Sequence, residues 1–125
     1  MSSSIVSNRR RSTRVKLGGS IVALVLLENG RPIRARMNQL SVNGGLLSLE
    51  QPLNEGIKVT VLFHLGLTSI RGEGQMLFPM WATKGCLQPF RFKDLDDTLR
   101  TQLEGELQKL LEANPSALAE ENSVP

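Results

Sequence analysis

Short strand-like runs separated by turn residues fill residues 15–93, and no helical pattern lies between them. Asn29 and Gly30 stand between two such runs and form a strong β-hairpin signal. In the returning run, 31–40, apolar and polar residues alternate, which gives one buried and one solvent-facing side. Parallel strands would need long crossover connections, usually helices. The pattern therefore predicts a small antiparallel barrel of about six short strands.

After residue 93 the spacing of apolar residues changes from that of a strand to that of a helix. Asp94 is positioned to cap a helix, and leucines recur at helical spacing over 95–111. Asn114 and Pro115 end the pattern. We therefore expect one C-terminal helix whose leucine stripe packs on the barrel rather than on a second copy, followed by a disordered tail over 113–125.

Length and composition indicate one domain. The chain has 125 residues and is 40% hydrophobic, enough for a single core. We expect a flexible lead-in over 1–8 and one folded domain over 9–112. No apolar run is long enough to span a membrane, and no signal-peptide pattern begins the chain. The single cysteine, Cys86, excludes an internal disulfide and fits a reducing cytoplasm, with a buried structural thiol as its expected role.

The charge is distributed unevenly along the chain. The net charge is only +3, but residues 1–20 contain four arginines and one lysine and no acid. Acidic residues dominate from Asp94 onward. The basic end therefore points to an anionic partner more clearly than the net charge does. The alternative for an arginine cluster taken alone is a solvated tail without a function.

Residue patterns of enzymes are largely missing from the sequence. The only histidine, His64, lies inside an apolar run, and no second histidine is present to complete a conventional transition-metal site. Neither a phosphate-binding loop of the Walker type nor a dinucleotide fingerprint occurs. One tryptophan and four phenylalanines give poor support for stacking of nucleic-acid bases. We expect no catalytic residue, no metal, no cofactor, and no DNA or RNA partner.

Two short segments have the chemistry of an anion site. Arg10 and Arg14 are four residues apart, and a guanidinium offers a planar fork of donors to a phosphate or to the O6/N7 edge of guanine. Ser41 supplies a hydroxyl, and Gly44 and Gly45 allow backbone amides to approach a ligand closely. A compact ligand with two phosphates and guanine bases would use all of these groups.

These segments resemble, in order and spacing, the two motifs of the PilZ domain, a bacterial receptor module for cyclic di-GMP. The family has an RxxxR motif before its first strand, which Arg10 and Arg14 match. Its [D/N]xSxxG motif follows about two strands later and is matched at Ser41 and Gly44. Gln39 stands where the family has aspartate or asparagine.

The resemblance covers residues 9–112 and implies a mainly all-β fold, a six-stranded antiparallel β-barrel of PilZ type with a C-terminal α-helix. It also implies a cytoplasmic, non-enzymatic receptor that changes conformation on binding cyclic di-GMP, with its arm folding over the ligand. The receptor would signal to an unidentified protein effector, with motility or biofilm regulation as family-level outputs. The implied ligand-binding residues are Arg9, Arg10, Arg14, Gln39, Ser41, Gly44 and Gly45.

Gln39 is the main departure from the family pattern. The usual side-chain oxygen accepts a hydrogen bond from the N1/N2 edge of guanine, and glutamine keeps that oxygen but adds one methylene. A misplaced acceptor in a buried site costs about 1–3 kcal/mol. We favour nucleotide binding, with two alternatives. One is a degenerate PilZ-like interaction module that does not bind nucleotide, and the other is a small barrel that binds RNA or DNA through the basic arm.

Overall fold

The computed structural model describes residues 13–119, which form seven β-strands, one α-helix and a short 3₁₀ turn. The strands are β1 Val15–Leu26, β2 Pro32–Ser41, β3 Gly44–Leu49, β4 Lys58–Leu65, β5 Thr68–Met76, β6 Met80–Trp81 and β7 Cys86–Phe92. The helix α1 spans Asp97–Ala113, and the 3₁₀ turn spans Pro115–Ala117.

Six of the strands close into an antiparallel barrel. The order is β3-β2-β1-β4-β5-β7, and pairing of β3 with β7 joins the two ends of the sheet. The two-residue strand β6 pairs with β7 outside this ring. The sequence-based prediction of a six-stranded antiparallel barrel with a C-terminal helix is therefore confirmed, with β6 as an addition.

Alternation along the strands fills the barrel interior. In β1, Ala23 and Val25 are fully buried, whereas Val22 and Leu24, which alternate with them, are exposed. The thiol of Cys86 faces inward and is 1% exposed, and this burial raises the pKa of the Cys86 thiol. The expected structural role of Cys86 is thus consistent with its position. The buried interior includes Val15, Ala35, Met37, Leu40, Leu47, Val61, Phe63, Ile70, Met76 and Phe90.

The helix begins two residues later than the sequence pattern predicts. Asp96 is the N-cap, and its carboxylate accepts a hydrogen bond of 3.1 Å from the amide of Thr98. Asp94 is not the cap, because Leu95 is buried in the core and the chain turns into the helix only after it. Leucines of α1 pack inward as expected. Within residues 13–119, α1 is too short and too polar to cross a membrane.

The residues after α1 return to the start of the barrel. Leu118 pairs with Val15 in an antiparallel bridge, and the amide of Ala119 donates a 2.9 Å hydrogen bond to the carbonyl of Arg14. This differs from the predicted disordered tail over 113–125, at least for residues 113–119. The sequence pattern missed the contact because Leu118 and Val15 are far apart along the chain. The predicted lead-in over 1–8 lies outside the described residues.

Candidate functional site

Most of the predicted ligand-binding residues lie together at one end of the barrel, where β1 begins, β2 ends and β3 begins. Lys16 pairs with Gln39, and Ser41 pairs with Gly44 across the β2–β3 turn. Arg9 and Arg10 lie outside the described residues. The predicted residues that the structure brings together are Arg14, Gln39, Ser41, Gly44 and Gly45.

Arg14 and Gln39 are in direct but loose contact. The Nη1 atom of Arg14 donates to Oε1 of Gln39 over 3.5 Å, which is near the limit for a hydrogen bond. The Nε atom of Arg14 is buried and has no hydrogen-bond partner among residues 13–119. An unsatisfied buried donor costs about 1–3 kcal/mol, more when the group is charged. The Arg14 guanidinium therefore holds unused donor capacity at this end of the barrel.

The contact gives Gln39 a function that the sequence pattern did not suggest. Sequence reasoning treated Gln39 only as a displaced acceptor for a guanine edge. In the structure its amide oxygen instead accepts the long hydrogen bond from the Arg14 guanidinium. The added methylene, compared with asparagine, lengthens the side chain by which Gln39 reaches across from β2.

Ser41 is occupied by the turn that it begins. Its side chain is 2% exposed, and Oγ accepts a hydrogen bond from the amide of Asn43 at 3.1 Å and donates to the carbonyl of Gly44 at 3.3 Å. Neither Val42 nor Asn43 has a positive φ, and within 41–45 only Gly44 does, at +156°. The predicted contact of Ser41 with a phosphate or ribose stays a prediction.

Both glycines after the turn are required by strand packing. A Cβ on Gly44 would collide with the carbonyl oxygen of Phe90 on β7 and lie 2.9 Å from the Cα atom of Arg91. A Cβ on Gly45 would lie 2.5 Å from the carbonyl oxygen of Gln39 and 3.0 Å from the Phe90 ring. Close approach of β3 to its neighbours thus accounts for these glycines without a ligand, and the predicted contact of their amides with nucleotide stays a prediction.

Barrel closure adds cationic side chains that the motifs do not include. Lys16 is exposed opposite Gln39, and Arg91 is exposed opposite Gly44 because β7 pairs with β3. None of Arg14, Lys16 and Arg91 forms an ion pair with a described residue. These uncompensated positive charges favour an anionic ligand. No spacing in the sequence indicated Arg91, since its position depends on the β3–β7 pairing.

Other regions of the described barrel are less suited to bind an anion or a metal ion. Among residues 13–119, no group of three or more histidine, cysteine, aspartate or glutamate side chains is arranged to hold a metal ion. The exposed His64 has its Nδ1 atom 2.8 Å from Oγ of Ser69, a surface pair on the β4–β5 hairpin. A groove of about 460 Å³ lies at the far end of β1, where lysines and acids are mixed, and it includes none of the predicted site residues.

Comparison with known proteins gives matches in structure only. No protein-family model matches the chain, and no curated protein sequence matches it. The PilZ domain of YcgR from Escherichia coli, solved with c-di-GMP, superposes with a TM-score of 0.66 at 24% identity, over 87% of this chain and 97% of that domain. The Bacillus subtilis inhibitor of motility MotI/DgrA superposes with a TM-score of 0.70 at 13% identity, over 85% of this chain.

The matched region is a part of the longer relatives. The chain spans about half of MotI/DgrA, 52% of its length, and 46% of YcgR in its complex with c-di-GMP, where the TM-score is 0.66 at 21% identity. At these identities the likeness concerns the fold. The chain has a PilZ-type fold, as the sequence motifs predicted.

Proposed function

We propose that this PilZ-type barrel is a receptor for cyclic di-GMP and that Arg14 is the described residue at the centre of its binding site. The observation that carries the proposal is the buried Nε atom of Arg14, which has no partner in the described part of the chain and lies near cations that form no ion pair there. The YcgR domain of the same fold has been solved with c-di-GMP. Arg14 of the first motif lies at the same end of the barrel as Ser41 and Gly44 of the second.

The guanidinium of Arg14 is suited to a phosphodiester. Its Nη1 atom is held by Gln39 at 3.5 Å, and the edge that contains Nε is not used by any described residue. A guanidinium edge binds two oxygens of a phosphate through parallel charge-assisted hydrogen bonds. Arg10, which matches the other half of the arginine motif, would supply the second fork, and Arg9 would add a third.

Gln39 and Ser41 would act from the barrel wall. The Gln39 side-chain oxygen accepts from Arg14, and with nucleotide bound it would accept from a guanine edge instead. The Ser41 hydroxyl donates to the Gly44 carbonyl, so donation to a phosphate requires rotation of that hydroxyl. Lys16 and Arg91 add long-range attraction for a ligand with two negative charges.

The proposed receptor is not an enzyme and transmits its state to a protein effector. Ordering of residues 9–14 over bound nucleotide would change the surface beside the β2–β3 turn. The C-terminal segment would also respond, because Ala119 is hydrogen-bonded to the Arg14 carbonyl. We place this activity in the cytoplasm, with motility or biofilm regulation as the process under control.

Calorimetric titration of the purified protein with cyclic di-GMP tests the proposal. We expect saturable heat and a rise in the thermal midpoint, and neither effect with cyclic di-AMP. Arg14→Ala should remove the heat, whereas Arg31→Ala, an exposed arginine at the β1–β2 turn, should retain it. Absence of both heat and thermal shift at high micromolar nucleotide would refute the proposal.

The second candidate is a PilZ-like interaction module that has lost its ligand. The Arg14–Gln39 contact favours it, since an internal amide oxygen occupies part of the guanidinium that a nucleotide would use. The same titration separates the two candidates. A nucleic-acid-binding barrel would instead bind any oligonucleotide with a steep dependence on salt, and would not distinguish the cyclic dinucleotide.

A further inference from the structure

The outer face of four neighbouring strands combines exposed aliphatic side chains with arginines. In β1, Val22 is 45% and Leu24 is 41% exposed. Residues 21–27 of the sequence are apolar without interruption, a pattern typical of a strand covered on both faces. Only the inward face of β1 is covered within the described chain. We call the outer surface the arginine face, and its members are Val22, Leu24, Arg34, Arg36, Leu62 and Arg71.

Strand register aligns four of these side chains in one row. Leu24 pairs with Arg34 on β2 and with Leu62 on β4, and Leu62 pairs with Arg71 on β5. Two leucines are thus flanked by a guanidinium on each side. Adjacent strands are about 4.8 Å apart, so the two arginine Cα atoms are separated by roughly 14 Å along the curved wall of the barrel. Val22 and Arg36 form the next pair on the same face.

The positive charge of this face is not neutralised by the protein. Arg34, Arg36 and Arg71 make no ion pair with any described residue. Arg36 is held in place by a 3.1 Å hydrogen bond from Nη1 to the carbonyl of Gly19. The acid Glu73 lies two residues beyond Arg71 on the same side of β5, opposite Thr60, and forms no ion pair with Arg71.

We propose that the arginine face docks an acidic segment of a partner protein. The segment presents one apolar side chain to Leu24 and Leu62 and two carboxylates that pair with Arg34 and Arg71. An extended chain rises about 3.3 Å per residue, so carboxylates four residues apart match the row. A sequence of the form Glu-x-Leu-x-Glu therefore fits it. The proposal does not depend on nucleotide binding.

Charge and shape favour a protein segment over the other anionic partners. Phosphates of a nucleic acid gain nothing from the two leucines, and the members of the face include no aromatic side chain on which bases could stack. An anionic membrane is bound best by apolar groups that penetrate it. Val22 and Leu24 are only half exposed and lie in a sheet, where they are suited to contact another side chain.

A peptide titration followed by NMR tests the proposal on the full chain. The probe is a peptide containing Glu-Thr-Leu-Thr-Glu, and its control has glutamine in place of both glutamates. We expect saturable shifts of the Leu24 and Leu62 amides with the first peptide and at least tenfold weaker binding with the second. No shift with the acidic peptide, or equal affinity for both peptides, would overturn the proposal.

Paired variants distinguish a specific effect of the arginine face from a general effect of net charge. The double variant Arg34→Glu/Arg71→Glu should weaken peptide binding at least tenfold. Its matched control, Lys84→Glu/Lys93→Glu, changes exposed cations elsewhere by the same charge and should retain binding. Equal loss in both proteins would overturn the proposal. Leu24→Ser leaves the charge unchanged and should weaken binding severalfold, which gives a second measurement if the double variant does not fold.

Two competing probes identify the other outcomes. A single-stranded oligonucleotide and vesicles of phosphatidylglycerol are titrated under the same conditions. Tighter binding of either probe than of the peptide, lost in Arg34→Glu/Arg71→Glu, would assign the face to nucleic acid or to membrane and would overturn the protein-segment proposal. Cyclic di-GMP titration of the same variants should be unchanged, so failure here is distinguishable from failure of the proposed receptor function.

Discussion

The two sides of the candidate site differ in how firmly they are held. On the turn side, Ser41, Gly44 and Gly45 are buried, and the Ser41 hydroxyl is hydrogen-bonded within the turn. Within the described residues, the arginine side has one 3.5 Å side-chain contact and a buried donor without a partner. A site with one rigid and one adaptable side can pre-position part of a ligand and still change shape when the ligand binds.

The motif residues on the two sides therefore differ in how strongly their presence indicates ligand binding. Gly44 and Gly45 are required by the packing of β3, so they would be retained in a PilZ-type barrel that binds nothing. Arg14 has no comparable structural requirement, because its side chain is incompletely satisfied in the folded protein. The arginines are therefore the stronger indicators of function, and the predictions below test this difference.

The largest effect is expected for Gly44→Ala. The added Cβ would overlap the Phe90 carbonyl oxygen on β7, and such overpacking costs about 3 kcal/mol. Urea denaturation should show this loss in the free energy of unfolding. Gly105→Ala is the control: its Cβ meets open space on α1, and removal of a helical glycine should add about 1 kcal/mol. An unchanged stability of Gly44→Ala would mean that β3 can move away from β7.

Arg14→Ala should have the opposite profile, with a large effect on binding and a small one on folding. Loss of charge-assisted hydrogen bonds to a phosphate costs about 2–3 kcal/mol, or roughly 100-fold in affinity for cyclic di-GMP. The free energy of unfolding should change little, because the variant also removes a buried unsatisfied donor. Calorimetry and urea denaturation of one preparation measure both quantities. Normal nucleotide affinity would contradict the site assignment.

Gln39→Asn tests whether the wall residue limits affinity. Asparagine restores the side-chain length of the family motif and shortens the reach toward Arg14. We expect affinity for cyclic di-GMP to increase by roughly tenfold, or about 1.4 kcal/mol. Calorimetry against the parent protein measures the change. Weaker binding would indicate that orientation of Arg14 by Gln39 contributes more than a well-placed acceptor.

The smallest effect is expected from shortening the chain. Ending it after Asn114 removes the Leu118–Val15 bridge and the hydrogen bond from Ala119 to the Arg14 carbonyl. One backbone hydrogen bond contributes about 0.5–1.5 kcal/mol, so nucleotide affinity should fall by roughly threefold to tenfold as Arg14 becomes less ordered. A chain ending after Ala119 keeps both contacts and is the control. Equal affinities of the two shortened chains would show that this segment does not support the arginine side.

Local patterns predicted the parts of the fold that depend on local chemistry. Alternation of polar and apolar residues, together with Asn29 and Gly30, predicted the barrel because side-chain period and turn geometry are properties of neighbouring residues. Closure of β3 on β7 is a long-range pairing with no local signal. For that reason sequence reasoning missed Arg91 beside Gly44 and the return of Leu118 to Val15.

The sequence predicted which of the described candidate residues lie near one another, but not how they are hydrogen-bonded, and their binding of a ligand stays a prediction. The sequence pattern brought Arg14, Gln39 and Ser41 together, and their closeness is seen in the structure. The same pattern could not reveal that Ser41 is engaged by its own turn. It also could not separate glycines required by packing from glycines required by a ligand, because both leave the same residue in the sequence.

Cys86 allows separation of β3 from β7, the seam that closes the barrel, to be measured in the protein without any substitution. It is the only cysteine in the chain, pairs with Leu49 across the seam, and is almost fully buried. A bulky disulfide reagent can reach the thiol only after the seam has separated, so its reaction rate reports how often the barrel opens. Gly44 begins the same seam. A nucleotide that stabilises the turn would therefore slow thiol labelling. Labelling rates measured with and without ligand would compare how often the barrel opens in the two states.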